Sequence, residues 1–522
     1  MDVKAVMNNV KNKGIKETYN IYTDRKNKRN SISKNNNFEL DILKKEVATL
    51  KNRVLELEKT HINTEIDTLF FNYNQADSQD ILDKLIMDFE EICKKTFQFP
   101  VNECINVVED ICQRVAKLPM DDFRKGVYDI IFEYEKTKGY KKALKEKYIK
   151  NILPQIYNEK GKEPIKNTIV FMERGGKKSP SLNYIYDAVK KKGEYEIKLH
   201  ELKVNVWPFT AFYLNAAKYI EDCATAKAIF ICTANDLMSY FTLRPETTYI
   251  QLWHGCGAFK KVGASTVGKK FGKSAKARAE YPDHTNYSYV TIASPEVSWI
   301  FEESMSIDKE SGIIVPTGIS RTDEFFDKNY IENCYQKVHE IIPATKEKKI
   351  ILYAPTFRGE VAKATSPDFL DVKKFYEALG DKYILIFKHH QSAKTIPEIP
   401  EEYKDRFAFD MTRGKGMTIN DLMTVADIMI TDYSSVVFEY SLFERPMAFL
   451  VNDIDEYIDE RGLYYDFDEV TPGPLCYSTE ELIDYIANID ERFDKNEVTE
   501  FKNKFMSCCD GHSTERILDL IK

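Results

Sequence analysis

The feature that most constrains the fold is an alternation of short apolar runs with amphipathic helical patterns, which begins at Asn167. Strands of a parallel sheet appear in this way because helices bury both faces of the sheet. The alternation pauses at a lysine-rich break, 346–349, and then resumes. We therefore predict an α/β fold with two doubly wound domains, at 165–340 and 345–485. The predicted strands are 168–172, 228–232, 248–253, 289–293, 312–315, 350–353, 383–387, 428–431 and 447–450.

The regions outside this alternation are predicted to be helical or disordered. Residues 1–37 are rich in Lys, Asn and Ser and predict a disordered basic tail, either simply solvated or weakly attracted to anionic lipid. Apolar residues in steps of three and four at 38–62 predict a short coiled coil of about three heptads. This pattern favours homo-oligomers formed through 40–57, although a helix packed on its own protein would look similar. A helical appendage at 63–160 and a C-terminal helix at 490–522 complete the organisation.

Composition excludes several classes of function. The net charge of −8, without a long basic-aromatic stretch, argues against nucleic-acid binding. The ten cysteines lack metal-site spacing and indicate reduced thiols in a cytosolic protein. No acidic pair has a partnering histidine, so we expect no metal and no cofactor. No window approaches the ~18 apolar residues of a spanning helix, so any membrane contact is expected to be peripheral, from the cytoplasmic face.

Two histidines follow predicted strands, one in each domain. His254 lies between Trp253 and Gly255 after one apolar run, and a Lys388-His389-His390 cluster ends another. Ligands of open α/β sheets bind outside the carboxyl ends of the strands, so these histidines predict two walls of one cleft. A histidine there is a candidate general base, or a hydrogen-bonded turn residue.

Other polar groups follow the same strands. Arg321 is either a phosphate ligand or the ion-pair partner of Asp323, and the serines after the strand at 428–431 either form an anion site at a helix start or only cap that helix. The candidate ligand-binding residues are Trp253, Gly255, Arg321, Pro355, Thr356, Arg358, Lys388, His389, Asp432, Ser434, Ser435, Arg461 and Gly473.

Taken in order, these motifs resemble the CDP-glycerol glycerophosphotransferase family, the teichoic acid primases and polymerases. The motifs that match are Trp253-His254-Gly255, Gly318-x-x-Arg321-x-Asp323, Tyr353-Ala-Pro-Thr356, Lys388-x-His390, Ile430-Thr-Asp-Tyr-Ser-Ser435, Arg461-Gly462, Pro472-Gly-Pro474 and Asp510-Gly511. They extend over about residues 165 to 520 and leave 1–160 uncovered. Cys256-Gly257 replaces the usual Thr-Pro of the family, Gln391 replaces an apolar residue, and the doubled histidine leaves the register open by one position.

The resemblance implies a GT-B architecture, in which two Rossmann-like domains face a cleft. It further implies transfer of glycerol phosphate, or a related polyol phosphate, from CDP-glycerol to a lipid-linked acceptor at the inner face of the membrane, with release of CMP. His254 would be the base on the acceptor hydroxyl, and His390 would contact the diphosphate. A GT-B glycosyltransferase that uses a nucleotide sugar and a non-catalytic assembly protein are the alternatives.

Overall fold

The computed structural model describes residues 37–96, most of 107–138, 146, 148–174, 179–202, 209–269, 272–359, 363–413 and 416–521. The chain divides into two compact units, one made of 1–111 and 120–140 and the other of 112–119 and 141–522. The disordered tail predicted at 1–37 therefore lies outside the described residues, apart from Asn37.

The first unit is helical, as predicted for the N-terminal region. Among its described residues, the α-helices with defined bounds are α1 (Asn37–Tyr73), α2 (Gln79–Thr96) and α3 (Asp122–Lys138). Ile66 of α1 and Phe89 of α2 are fully buried, so these helices pack on one another. α1 runs without a break through the predicted coiled coil, where Leu57 is 54% exposed. The coiled-coil pairing stays a prediction.

The second unit contains two six-stranded sheets in which every strand pair is parallel. The first sheet has the order β2-β1-β3-β4-β5-β6, and we call it, with its helices, the first lobe. Its strands are β1 (Lys166–Glu173), β2 (Glu196–Glu201), β3 (Ala226–Ile231), β4 (Thr248–Gln251), β5 (Tyr289–Thr291) and β6 (Ile314–Val315). The α-helices of this part are α4 (Leu153–Lys160), α5 (Pro180–Lys192), α6 (Phe209–Cys223), α7 (Ala275–Glu280), α8 (Ser298–Met305) and α9 (Lys328–Ile341).

The second sheet, with its helices, forms the second lobe and has the order β12-β11-β10-β7-β8-β9. Its strands are β7 (Lys349–Tyr353), β8 (Tyr383–Phe387), β9 (Ala408–Asp410), β10 (Ile428–Thr431), β11 (Met447–Leu450) and β12 (Leu475–Cys476). Its α-helices are α10 (Val372–Leu379), α11 (Ile419–Val425), α12 (Val436–Tyr440), α13 (Ile454–Arg461), α14 (Phe467–Val470), α15 (Thr479–Ala487) and α16 (Ile489–Arg492). Counted from β7, this is the strand order of a dinucleotide-binding Rossmann sheet.

These sheets confirm the predicted fold class. All nine predicted strands are present, some of them shorter than expected. Strand burial explains the pattern, because β8 and β10 are buried at every position. The domain limits at 165–340 and 345–485 stay a prediction, since the compact units separate only the helical N-terminal part from the rest.

The C-terminal segment differs from the single helix expected at 490–522. Two helices, α17 (Lys495–Phe505) and α18 (Ser513–Leu518), are separated by a turn. Gly511 in this turn has a φ of +90°, which an L side chain rarely adopts, so the helix cannot continue through it. The two helices pack differently: Phe501 of α17 contacts Phe438 of the second lobe, whereas Ile517 of α18 joins the core of the first.

Within the described part of the chain, no helix is both long enough and apolar enough to cross a bilayer.

Candidate active site

Each sheet has a point at which its strand order reverses, and in the second sheet predicted site residues follow the strands at that point. In the second lobe the order reverses between β7 and β10, and Thr356 and Ser434 follow these two strands. In the first lobe it reverses between β1 and β3, and Cys232 follows β3. Open α/β sheets bind ligands at such points, outside the carboxyl ends of the strands. The topology therefore brings these two groups of residues to the ligand-binding edge of their sheets.

His254 is held in the tautomer that a general base needs. Its Nδ1 lies 3.1 Å from the carbonyl oxygen of Cys232, which can only accept, so Nδ1 carries the proton and Nε2 is free to accept one. The side chain is exposed, as expected for a residue that lines an open cleft. The protein atoms around the ring nevertheless displace water that would hydrate the charged form, and this desolvation lowers the pKa of the imidazole. The charges of Arg321 and Lys260 act in the same direction. His254 is therefore neutral at physiological pH.

Trp253 fixes the direction of His254. Its φ of +55° lies in the left-handed region, which is costly for a residue with a large side chain. The side-chain oxygen of Gln251 accepts a hydrogen bond from the Trp253 backbone N–H at 2.9 Å and supports this conformation. The indole packs on the imidazole of His254, with 4.4 Å between the ring centroids. Gly255 is buried under the same indole, which lies within 4 Å of any added Cβ.

His390 has the opposite tautomer. Its Nδ1 accepts a hydrogen bond from the backbone N–H of Ser392 at 3.1 Å, so the neutral ring carries its proton on Nε2. The half-buried ring packs against Phe357, with 4.9 Å between the centroids. Burial lowers the pKa of His390 to about 4, and the charge of Lys260 contributes to this shift. His390 is thus a neutral hydrogen-bond donor.

The two residues before His390 are bound by the protein itself. His389 is buried and its Nδ1 lies 2.6 Å from the hydroxyl of Ser366. The ammonium of Lys388 donates to the carbonyl oxygens of Met411 and Met417, at 2.6 and 2.8 Å. His389 is buried whereas His390 is half-buried, so His390 is the more accessible of the two adjacent histidines. Ligand binding by Lys388 and His389 stays a prediction.

Thr356, Arg358 and Asp432 form a closed network in the second lobe. Asp432 is buried and accepts hydrogen bonds from the backbone N–H of Thr356 at 2.9 Å and from its hydroxyl at 3.0 Å. Arg358 pairs with Asp432 at 2.9 Å and with Asp453 at 2.5 Å. Burial opposes the charge of Arg358, but the two carboxylates raise the pKa of its guanidinium above its usual range. These polar groups connect β7, β10 and the loop after β11, and their role as donor ligands stays a prediction.

The remaining candidate residues of the second lobe differ in the contacts that they make within the protein. Ser434 Oγ accepts a long, 3.4 Å bond from Val436 N–H, while Ser435 Oγ makes no hydrogen bond with the described residues. The guanidinium of Arg461 lies 5.4 Å from the ring centroid of Phe357, the same ring that contacts His390. Pro355 is buried. Gly473 has a φ of +156°, and a Cβ there would overlap the carbonyl oxygen of Met447, so its backbone geometry requires glycine.

Arg321 connects the two lobes. Its guanidinium donates to the carbonyl oxygen of His254 at 2.8 Å and forms an ion pair with the buried carboxylate of Glu439 on α12. The alternative pairing with Asp323 is wrong, because Asp323 instead accepts hydrogen bonds from the backbone N–H groups of Ser513 and Thr514. Arg321 thus holds the His254 turn against the helix that follows the two serines, and phosphate binding by Arg321 stays a prediction.

A second connection between the lobes places a residue that the candidate set lacked. Residues 259–266 of the first lobe pair with 461–465 of the second, and we call this pairing the interlobe clasp. Lys261 N–H donates to Gly462 O at 2.9 Å, and Tyr464 N–H donates to Phe259 O at 2.7 Å. Between them, Lys260 forms an antiparallel bridge with Leu463. The sequence shows Lys260 only as one of several lysines in a basic loop.

Among the described residues, no cluster of three or more His, Cys, Asp or Glu side chains is placed so that it could hold a metal ion.

Comparison with known proteins confirms the family that the sequence motifs predicted. Residues 159–522 match the family model described as CDP-Glycerol:Poly(glycerophosphate) glycerophosphotransferase. The teichoic acid poly(ribitol-phosphate) polymerase of Bacillus spizizenii is 36% identical over 300 residues, which cover 57% of this chain and 47% of that protein. The ribitol-phosphate primase of the same organism is 38% identical over 283 residues, 53% of this chain and 70% of the primase. The teichoic acid glycerol-phosphate transferase of Staphylococcus aureus is 30% identical over 402 residues, 72% of this chain and 98% of that protein.

Solved structures show the same fold. The wall teichoic acid polymerase TagF superposes with a TM-score of 0.58 at 24% identity, over 76% of this chain and 97% of the polymerase chain. A TagF variant soaked with CDPG gives a TM-score of 0.55 at 24% identity. This chain spans about half the length of the ribitol-phosphate polymerase that it matches. Since the family model extends over 159–522, more than half of the sequence, this chain belongs to the CDP-glycerol:poly(glycerophosphate) glycerophosphotransferase family.

Proposed function

We propose that this protein transfers a polyol phosphate, glycerol phosphate or ribitol phosphate, from a CDP-activated donor to a lipid-linked, teichoic-acid-like acceptor and releases CMP. The observation that carries this proposal is the pair of strand-end histidines in opposite tautomers, His254 as acceptor and His390 as donor, both under the influence of Lys260. The names of the relatives support the class of reaction, and the soaked TagF variant supports a CDP-polyol donor.

The transfer requires one proton acceptor and stabilisation of phosphate charge. His254 Nε2 takes the proton of the acceptor hydroxyl as its oxygen attacks the phosphorus that carries the polyol. A new phosphorus–oxygen bond forms to the acceptor, and the bond from that phosphorus to the bridging oxygen breaks, so CMP leaves with the bonding electron pair. The Nε2–H of His390 donates to a phosphate oxygen and stabilises the charge that develops there.

Cationic and hydroxyl groups of the protein hold the donor in this proposal. Ser435 Oγ at the start of α12 and the guanidinium of Arg461 lie on the second-lobe side, where the strand order reverses. Thr356, Arg358 and Asp432 act indirectly in this proposal: they bond to one another and so hold the loops after β7 and β10 in place. Neutralisation of the phosphates by lysine and arginine, without a metal ion or cofactor, is part of the proposal.

We also propose a peripheral position on the inner face of the cell membrane, where a lipid-linked acceptor is accessible. Self-association through the helical segment 40–57 is part of the same proposal. The exposed apolar side chain of Leu57 supports such pairing, because an apolar seam of a coiled coil is covered only by a partner helix.

The test is a product assay with CDP-glycerol and CDP-ribitol in the presence of membrane lipid acceptor. The wild type should release CMP with at least one donor. His254→Gln should lower the rate by about 10²–10⁴-fold, the range for loss of a general base, and should leave donor binding unchanged. His61→Gln is the matched control, because His61 is 72% exposed on α1 and should keep full activity. Release of a nucleoside diphosphate from a nucleotide sugar, without CMP formation, would contradict the proposal.

A further inference from the structure

Lys260 is carried by the first lobe but lies among residues of the second. The antiparallel bridge to Leu463 aligns its backbone with the loop that follows α13. Hydrogen bonds on both sides of this bridge, from Lys261 to Gly462 and from Tyr464 to Phe259, fix its register. Adjacent strand residues point to opposite faces, so the side chains of Lys260 and Lys261 leave the interlobe clasp in different directions.

The ammonium of Lys260 has no hydrogen-bond or ion-pair partner among the residues that the structure describes. The charges that act on it are those of Asp432, Arg461 and Arg358. Asp432 is already engaged by Thr356 and Arg358, so it does not neutralise a further cation. Burial lowers the pKa of Lys260, and the two arginines act in the same direction.

The position of Lys260 relative to the two histidines is equally informative. Burial lowers the pKa of His254 in the first lobe and that of His390 in the second, and the charge of Lys260 acts in the same direction on both. The bridge to Leu463 places Lys260 beside Arg461, whose guanidinium lies 5.4 Å from the ring of Phe357, the ring on which His390 packs. Arg358 engages the carboxylates of both Asp432 and Asp453, so the charge of Lys260 is left without a counterion among the described residues, and such a charge attracts an anion.

We propose that Lys260 binds the diphosphate of the donor from the first-lobe side, so that the anion site is complete only when the interlobe clasp has formed. This inference rests on the proposed function for the identity of the donor, but the anion site itself does not depend on which polyol is transferred. The second lobe would hold the nucleotide end, and the first lobe would deliver one ammonium together with the base, His254.

A second consequence concerns the histidines. Burial lowers the pKa of both imidazoles, and the charge of the unpaired Lys260 ammonium adds to this shift. A bound diphosphate offsets that charge, so the pKa of His254 and His390 rises and His254 becomes a stronger base when the donor is present. Coupling of this kind is reciprocal: protonation of either histidine then strengthens anion binding.

The test uses the full chain and inorganic pyrophosphate as the probe, measured by isothermal titration calorimetry. Lys260→Met should weaken pyrophosphate binding by about 10-fold or more, as expected for loss of a charge-assisted contact. Lys260→Arg should retain most of the affinity, and Lys261→Met, a matched control one residue along the same loop, should bind as the wild type does. Equal affinity of Lys260→Met and wild type would overturn the proposal.

Histidine NMR titration gives a readout that a purely structural role would not change. In Lys260→Met the pKa of both His254 and His390 should rise, because the nearby positive charge is gone, while Lys261→Met should leave them unchanged. Unchanged pKa values in a Lys260→Met protein with a wild-type melting temperature would overturn the proposal. If Lys260→Met does not fold, Lys260→Gln is titrated instead. If Lys260→Met loses pyrophosphate affinity but the wild type releases no CMP from any CDP-polyol, the proposed function is wrong and the anion site is still supported.

Discussion

The two lobes differ in how far the polar groups of their candidate site residues are already hydrogen-bonded within the protein. In the first lobe, His254 Nε2 and the ammonium of Lys260 have no partner within the described part of the chain. In the second lobe, polar side chains already donate to protein groups: Thr356 to Asp432, Arg358 to Asp453 and Lys388 to the carbonyl oxygen of Met411. The network of the second lobe is thus organised before any ligand binds, while the candidate base, His254, comes from the first lobe and the candidate donor, His390, from the second. Side chains that are already held in place need little rearrangement when the substrate binds, so less free energy is lost on ordering them.

The largest expected difference between the two lobes is in the rate of CMP release when His254 or His390 is replaced by glutamine. A glutamine side chain can donate where Nε2–H donates, but it cannot accept a proton as a base. His390→Ala should lower the rate of CMP release by about 10²–10³-fold, the usual effect of losing one charge-stabilising donor. His390→Gln should recover much of that loss, whereas His254→Gln should be no better than His254→Ala. Equal rates for His390→Gln and His390→Ala would show that His390 acts as more than a donor.

A smaller effect is expected when the preorganised wall is loosened. Thr356→Val keeps the shape of the side chain but removes the hydroxyl that Asp432 and Arg358 use. A buried polar group left without its partner costs about 1–3 kcal/mol, so the melting temperature should fall. Thr242→Val, at an exposed position, is the control and should melt as the wild type does. An unchanged melting temperature for Thr356→Val would show that the network contributes nothing to stability.

The smallest expected effect is on pH dependence. His254 must be neutral to act as a base, and its pKa is lowered by its surroundings. Activity should therefore be lost only as pH falls through a value below that of an ordinary histidine, ~6.5. The measurement is kcat/KM between about pH 5 and 8, the range in which histidine titrates. An acid limb centred above the ordinary value would contradict the assignment of His254 as the base.

The fold could be predicted largely because parallel strands are buried on both faces. β1, β8 and β10 are apolar runs for this reason. The strands that sequence reasoning missed, β2, β9 and β12, all lie at the edge of a sheet. β2 reads Glu-Ile-Lys-Leu-His-Glu and is half solvated, and β12 has only two residues. An edge strand does not need two apolar faces, so it leaves a weak signal in the sequence.

The candidate site was only partly predictable. Strand-end histidines and the serines before α12 could be found, because the chemistry of these residue types and their position after a strand are both visible in the sequence. The pairing of Arg321 with Glu439 joins residues that are far apart in the chain, and no local pattern reports it. The same holds for Lys260, whose meaning depends on the loop at 461–465.

Gly257 sets how closely the lobes approach beside the active site. A Cβ at this position would overlap the phenyl ring of Phe438, so a single missing carbon allows that ring to sit directly under the turn that carries His254. Replacing Cys256-Gly257 by the Thr-Pro of the family pattern would therefore push the two lobes apart at this point. A chimera made in this way would also need a smaller side chain at 438, and the two positions should be exchanged between relatives only as a pair.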